Sequence, residues 1–325
     1  MTRKGTFRKY FSVAIMVLVA VSLNAQTTIT DVINSFNAGA EQVNAGDFEA
    51  AITKFEETIA LADELGAEGD EMKTNATGQI PALHYRMAMD TYKAKDIPGA
   101  ITRFEATVEA CDKYGGDDIK AKSLKYIPQL YNAQGNSQVK ASDFEGAHAS
   151  FDKAIEYKPD YARAVYGKAL VYKRQKDDAN MVATMQEAIE VGTAAGDDKT
   201  LAAATKTLKG YHLNAGKTAF KAENYDDAIA SFDKSYAYDD EDAEPYYLTC
   251  VAYGKKGEFE KAVEYGIKAA QFEEEANQAK IWYEVGAAYT SLDDYTSACE
   301  AFSKALVEPY LNSVKYQMEN VLDCQ

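Results

Sequence analysis

Histidine, cysteine, proline and tryptophan are scarce in this chain of 325 residues, at 3, 4, 6 and 1. So few prolines exclude a collagen-like strand, and four cysteines over this length exclude a small domain stapled by disulfides. His84, His148 and His212 stand 64 residues apart, so no two share a helical turn and no zinc-ligand spacing arises. No Gly-x-Ser-x-Gly, phosphate-cradling glycine loop or Cys-x-x-Cys occurs. Paired acids abound, but among 51 Asp and Glu a chance pair has no weight. The reading is a non-enzymatic protein with no cofactor and no metal. Positive charge is also short, with 35 Lys and Arg against those 51 acids and a formal net charge of −16. Nucleic acid is therefore excluded as a partner, since a phosphate backbone is held by clustered cations.

Long apolar runs are absent except at the start. Phe11 to Leu23 gives 13 apolar or small residues, too few for the roughly 20 that span a bilayer. Arg3, Lys4, Arg8 and Lys9 precede the run, and Leu23-Asn24-Ala25-Gln26 ends it with a small residue at Ala25. Residues 1–25 thus read as a secretory signal peptide cleaved after Ala25. No cysteine follows the run, which disfavours a lipoprotein anchor. Cleavage removes four cations and no acid, leaving 31 positive against 51 negative side chains, a net of −20. The expected location is a bacterial periplasm or an outer-membrane face, with no transmembrane segment in the mature chain.

What is abundant is repetition. Gly46-Asp47-Phe48-Glu49-Ala50-Ala51-Ile52 returns as Ser142-Asp143-Phe144-Glu145-Gly146-Ala147-His148 and as Asn224-Tyr225-Asp226-Asp227-Ala228-Ile229. Gly257-Glu258-Phe259-Glu260-Lys261-Ala262-Val263 and Asp294-Tyr295-Thr296-Ser297-Ala298 repeat it again, and weaker copies centre on Ala100 and Met181. An aromatic three residues before the central small residue and a Phe four after it share one helical face. Seven residues after each centre stands Thr58, Thr107, Ala154, Ala188, Ser235, Ala269 or Ala305. Twelve before it stands Gly39, Ala88, Gly135, Ala169, Gly216, Cys250 or Gly286. Small groups facing each other across two helices let the helices approach closely.

These residues resemble the tetratricopeptide repeat (TPR) family. The resemblance implies an all-α, right-handed superhelical solenoid of about seven helix–turn–helix repeats over 26–310, centred on Ala51, Ala100, Ala147, Met181, Ala228, Ala262 and Ala298. A capping helix is expected from about Leu311 to Asp323 within 311–325, its stripe of Leu311, Val314, Met318 and Leu322 covering Tyr289, Phe302 and Leu306. Two repeats depart from the pattern: Asp178 replaces an aromatic in the fourth, and Gly266 replaces the Phe in the sixth, so looseness is expected at both. His84 and His212 fall where this family buries a side chain, and are expected to be packed.

The centres are 49, 47, 34, 47, 34 and 36 residues apart, so three spacings exceed the family's usual period of 34 by close to 14. A heptad added to each of two antiparallel helices, about two turns each, meets that excess and keeps the same faces buried. Helix stops at Gly66, Gly115 and Gly196, and starts at Asp70-Glu71, Asp117-Asp118 and Asp197-Asp198, fit this reading. The acids there read as helix caps, since no calcium-loop spacing occurs. Pro81 and Pro128 fall inside the long helices, where a kink or restart is expected.

In this family the first helix of each unit lines an inner groove. Fifteen residues before the centres lie Tyr85, Asn132, Tyr166, Tyr247 and Tyr283, and seven before lie Lys93, Lys140, Arg174, Lys221 and Lys255. With Asn136, Arg163 and Lys217 these form the candidate groove for an extended acidic peptide. The clamp by which some members hold a C-terminal carboxylate is not reproduced. Asn136 matches one member, but Asn132 stands where Lys is expected and Gly167 and Gly210 replace others. The cysteines, Cys111, Cys250, Cys299 and Cys324, are expected as free thiols, because an offset of about five residues separates Cys299 from Cys324 across the turn near Pro309. The expected function is an envelope scaffold or adaptor binding another protein or peptide, with an accessory glycan-binding protein as the alternative. Self-association and use of the convex face stay open.

Overall fold

The computed structural model describes residues 27–324; the signal peptide read over 1–25 lies outside the described residues. Among the described residues there are fifteen α-helices, two 3-10 turns and no strand. Seven consecutive pairs make up the array. They are α1 (Ile29–Ala45) with α2 (Phe48–Leu65), α3 (Asp70–Lys93) with α4 (Ile97–Tyr114), and α5 (Asp117–Lys140) with α6 (Phe144–Tyr157). Next come α7 (Ala162–Gln175) with α8 (Asp178–Ala195) and α9 (Asp198–Lys221) with α10 (Tyr225–Tyr236). The last are α11 (Ala243–Lys256) with α12 (Phe259–Phe272) and α13 (Ala279–Ser291) with α14 (Tyr295–Ser303), followed by α15 (Leu311–Asn320). Residues 27–90 with 106–120 form one compact unit, and 91–105 with 121–324 form another.

The repeat pattern is the core. All seven centres are buried to within 1% of full, and Phe55, Phe104, Phe151, Phe232 and Phe302, four residues on, are at most 2% exposed. The small residues twelve before the centres serve these rings. A Cβ added at Gly39, Gly135, Gly216 or Gly286 would sit 2.4–2.9 Å from the Phe of its own pair. Smallness therefore makes room for an aromatic ring, rather than for a second small residue as the pattern alone suggested.

Each connection within a pair is built alike. The residue five before each centre takes left-handed backbone, with φ from 59 to 83° at Gly46, Lys95, Ser142, Lys176, Glu223, Gly257 and Asp293. In five pairs an Asp follows, and its carboxylate accepts the N–H three residues on at 3.0–3.1 Å: Asp47, Asp96, Asp143, Asp177 and Asp294. The cap closes the first turn of the second helix and holds the strained residue before it in place.

The long spacings are helix extensions, but not of seven residues each. The second helices α2, α4 and α8 have 18 residues against 12–14 in α6, α10 and α12. The following first helices α3, α5 and α9 have 24 against 13–14 in α7, α11 and α13. About one turn goes to the former and about three to the latter, still whole turns, so the buried face is kept. Ile80, Ile127 and Leu208 occupy equivalent points of the three extensions, as do Ala76, Ser123 and Ala204 one turn earlier, and all six are fully buried.

Pro81 and Pro128 are buried within unbroken helices, so neither restarts its helix. Each removes a single N–H from a 24-residue ladder, and the remaining bonds and the burial carry the helix through.

The C-terminal helix covers the last pair as expected. Val314 and Leu322 pack on Ala298, Phe302 and Ala305, with Tyr289 and Met318 at the edge, while Leu306 stays 36% exposed. It ends earlier than expected, at Asn320. The chain then turns back, with Leu322 N–H donating to the Gln317 carbonyl and Cys324 N–H to that of Met318. That reversal brings Cys324 to a Cα–Cα distance of 5.8 Å from Cys299, and the two are disulfide-bonded. The free-thiol expectation is thereby corrected for this pair. Its five-residue offset assumed a helix running straight to Asp323. Cys111 and Cys250 are free and buried.

Candidate functional site

Within the second unit α5 and α9 flank the shorter α7, which packs against α9. A cavity of about 280 Å³ lies over α7, between Asn132 and Asn136 of α5, Arg163, Tyr166, Gly167 and Leu170 of α7, and Lys199, Thr200 and Ala203 of α9. Four of the expected groove residues, Asn132, Asn136, Arg163 and Tyr166, thus meet in one trough. Asn136 points its amide along its own helix, donating from Nδ2 to the Asn132 carbonyl at 2.8 Å. Asn132 Oδ1 is buried and has no hydrogen-bond partner. A buried acceptor left unmade costs about 1–3 kcal/mol.

Arg163 Nε donates to Asp197 Oδ2 at 3.3 Å. Asp197 is also the cap of α9, accepting from the Thr200 N–H at 3.2 Å and its hydroxyl at 2.8 Å. Burial pushes this carboxyl up, but the two Thr200 donors and Arg163 outweigh it and hold it below its ordinary value. Lys199 makes no ion pair among the described residues. Lys199 and Thr200 escaped the sequence reading because they lie in the extension of α9, outside a 34-residue frame. The Asp197-Asp198 helix start is the signal that locates them.

The other expected groove residues do not line this cavity. Lys93, Lys140, Arg174, Lys221 and Lys255 all fall in the last turns of first helices, where the negative end of the helix dipole favours a cation whatever the ligand. Lys217 pairs with Glu244 at 2.6 Å. Tyr247 lies under the Lys280 ammonium at 5.4 Å, and Tyr283 meets Phe302 edge-on and Tyr310 at a tilt in the terminal core. Tyr85 is half-buried in the first unit. His212 is buried against Tyr238 as expected, and burial, with Lys234, depresses its pKa.

Lys255 borders a smaller cavity of about 130 Å³ between α11, α12 and α13, with Cys250 and Glu284. Burial pushes the Cys250 thiol up to about 12. Burial also raises the Glu284 carboxyl, against the pull of Lys255. A raised folded pKa means that stability is full below the unfolded value and is lost as pH rises through the folded one. Glu284→Gln removes that loss, so its melting temperature should fall less than wild type between acid and neutral pH. Identical pH slopes for the two proteins would show that Glu284 is not desolvated.

Residues 132–198 and 213–276 match a tetratricopeptide repeat family model, and 279–306 match a second model of the same description. These stretches are similar to tetratricopeptide repeats. The helix pairs before them bury the same centre and the same Phe, at Ala51 and Phe55 and at Ala100 and Phe104. Over 187 residues the chain is 28% identical to Stress-induced-phosphoprotein 1 of Caenorhabditis elegans, covering 56% of this chain and 52% of that protein. Over 242 residues it is 20% identical to a DnaJ homolog subfamily C member 7 homolog of Dictyostelium discoideum, covering 66% and 43%. The chain spans about half the length of the curated relatives it matches. Among solved structures, the TPR2AB domain of yeast Sti1 in its pHSP90 complex is 17% identical, covering 90% of this chain and 96% of that one at a TM-score of 0.31. A tetratricopeptide repeat protein of Parabacteroides merdae is 14% identical, covering 89% and 97% at 0.30. No helix among the described residues is long and apolar enough to cross a membrane, and no cluster of His, Cys, Asp and Glu there could hold a metal ion.

Proposed function

We propose that this chain is a non-enzymatic interaction scaffold of the bacterial cell envelope, which holds an extended segment of a partner protein in the trough of α5, α7 and α9. The observation that carries the reading is that Asn132, Asn136, Arg163 and Tyr166, from two helices, line one cavity. An extended segment brings backbone N–H and C=O groups to polar side chains of this kind. Export is supported by the sequence of residues 1–25 and by the Cys299–Cys324 bridge, since disulfides persist in oxidising compartments. A glycan platform is not favoured: Lys304 covers the ring of the single tryptophan at 3.9 Å, and the Trp282 indole N–H donates to Gln278 Oε1.

Photo-crosslinking groups placed at Asn136 and at Ala203 should capture the same segment of one envelope protein, while a group at exposed Glu145 should not. Recovery of this chain alone would replace the adaptor reading with self-association. This chain, recovered from the cell, should begin at Gln26; a retained N-terminus would remove the signal-peptide reading.

A further inference from the structure

Alternation of long and short helices opens a second space beside the trough. Where α7 begins, α5 and α9 run on past it by about three turns. A notch of about 510 Å³ remains there, and Arg163 borders both it and the trough. Part of its wall is apolar or aromatic: Leu124 and Pro128 from α5, Tyr157 and Tyr161 from the end of α6 and the link to α7. Leu124 is 36% exposed, although it sits on the same helical face as Pro128 and Asn132. Pro128 has no N–H, so the Leu124 carbonyl lacks its helical donor.

The rim is cationic in a chain whose net charge is −16. Lys125 and Lys158 border the notch, and neither is ion-paired among the described residues; Lys158 rests over the Tyr161 ring at 5.5 Å. Elsewhere Lys73, Lys168, Lys209 and Lys256 are held by carboxylates at 2.5–2.6 Å. Of the two acids on the rim, Asp197 is taken by Arg163 and the α9 cap, which leaves Asp160 against two lysines.

We propose that the notch is a second subsite of the trough, taking an aromatic or large aliphatic side chain whose neighbour in the partner segment is Asp or Glu. The apolar part of the wall buries the side chain, and the lysines face the carboxylate. This rests on the trough holding a partner segment at all. Yet it depends on residues the trough does not use, so the two can fail separately.

The test uses immobilised peptide pools, randomised except for a fixed central Glu-Phe, Lys-Phe or Glu-Ala pair. The mature protein should retain the Glu-Phe pool over both others. Lys125→Glu with Lys158→Glu should invert the Glu-Phe to Lys-Phe preference, a change of about tenfold or more for a reversed charge contact. Both side chains are exposed, and a folding defect weakens every pool rather than inverting a preference. Binding that Asn132→Ala with Asn136→Ala weakens but the lysine reversals leave unchanged would overturn the notch and keep the trough. Retention of no pool by the wild type would overturn both.

Discussion

Replacing Gly266 by the phenylalanine that the repeat pattern calls for will destabilise the protein, by about 3 kcal/mol or more, at the upper end of what overpacking costs. The sequence suggests the opposite, since a missing core ring reads as a loose joint. The space is already filled. A Cβ at Gly266 would lie 2.4 Å from Val285 Cγ2 and 3.1 Å from Cys250 Sγ, and both side chains are at least 99% buried. Cys250 stands where Gly39, Gly135, Gly216 and Gly286 make room for a ring in other pairs. The sixth pair has exchanged a large residue on one helix for a larger one on each neighbour. Urea unfolding of Gly266→Phe measures the loss. Adding Cys250→Gly and Val285→Ala should recover part of it, because residues in contact couple. An unchanged or raised midpoint for the single variant would refute the packing account.

Reduction of the Cys299–Cys324 bridge should have the next largest effect. With the cysteines 25 positions apart, loop closure alone contributes about 3.5 kcal/mol on the chain-entropy account. The loss falls first on the contacts of Val314 and Leu322 with Phe302, which is 1% exposed while they hold. Cys299→Ser with Cys324→Ser should therefore lower the urea midpoint and open residues 304–324 to protease before the rest of the chain. Coincident unfolding curves for reduced and oxidised protein would show that the terminal segment is held by packing alone.

Much of this fold is legible in the sequence because burial repeats there. The centre, the Phe four residues on and the small residue twelve before are fixed by volume, and volume is written in residue type. The left-handed residue five before each centre is not legible, because only Gly46 and Gly257 announce it. At Lys95, Ser142, Lys176 and Asp293 the conformation is imposed by the capped helix that follows, and at Glu223 by the tight turn into α10, not by the residue's own preference. The fourth pair was expected to be loose, yet Met181 and Met185 are at most 1% exposed, because an unbranched thioether fills an irregular gap. The trough was half legible. Asn132, Asn136, Arg163 and Tyr166 stand at repeating positions, whereas Lys199, Thr200 and the notch exist only because α9 and α5 outrun α7. The cations seven before each centre mark helix ends, and Lys255 also borders a cavity.

Phe151 lies against Gly135 of its own pair and Gly167 of the next, where an added Cβ would sit 2.9 and 2.5 Å from its ring. One ring therefore locks two neighbours, and an array coupled in this way comes apart from its ends. Its two ends are not alike. The last pair is pinned by a covalent bridge beneath a covering helix, while α1 and α2 contain no cysteine. Fraying should then run in one direction, from the amino-terminal helices inward, with amide exchange slowest beside the disulfide.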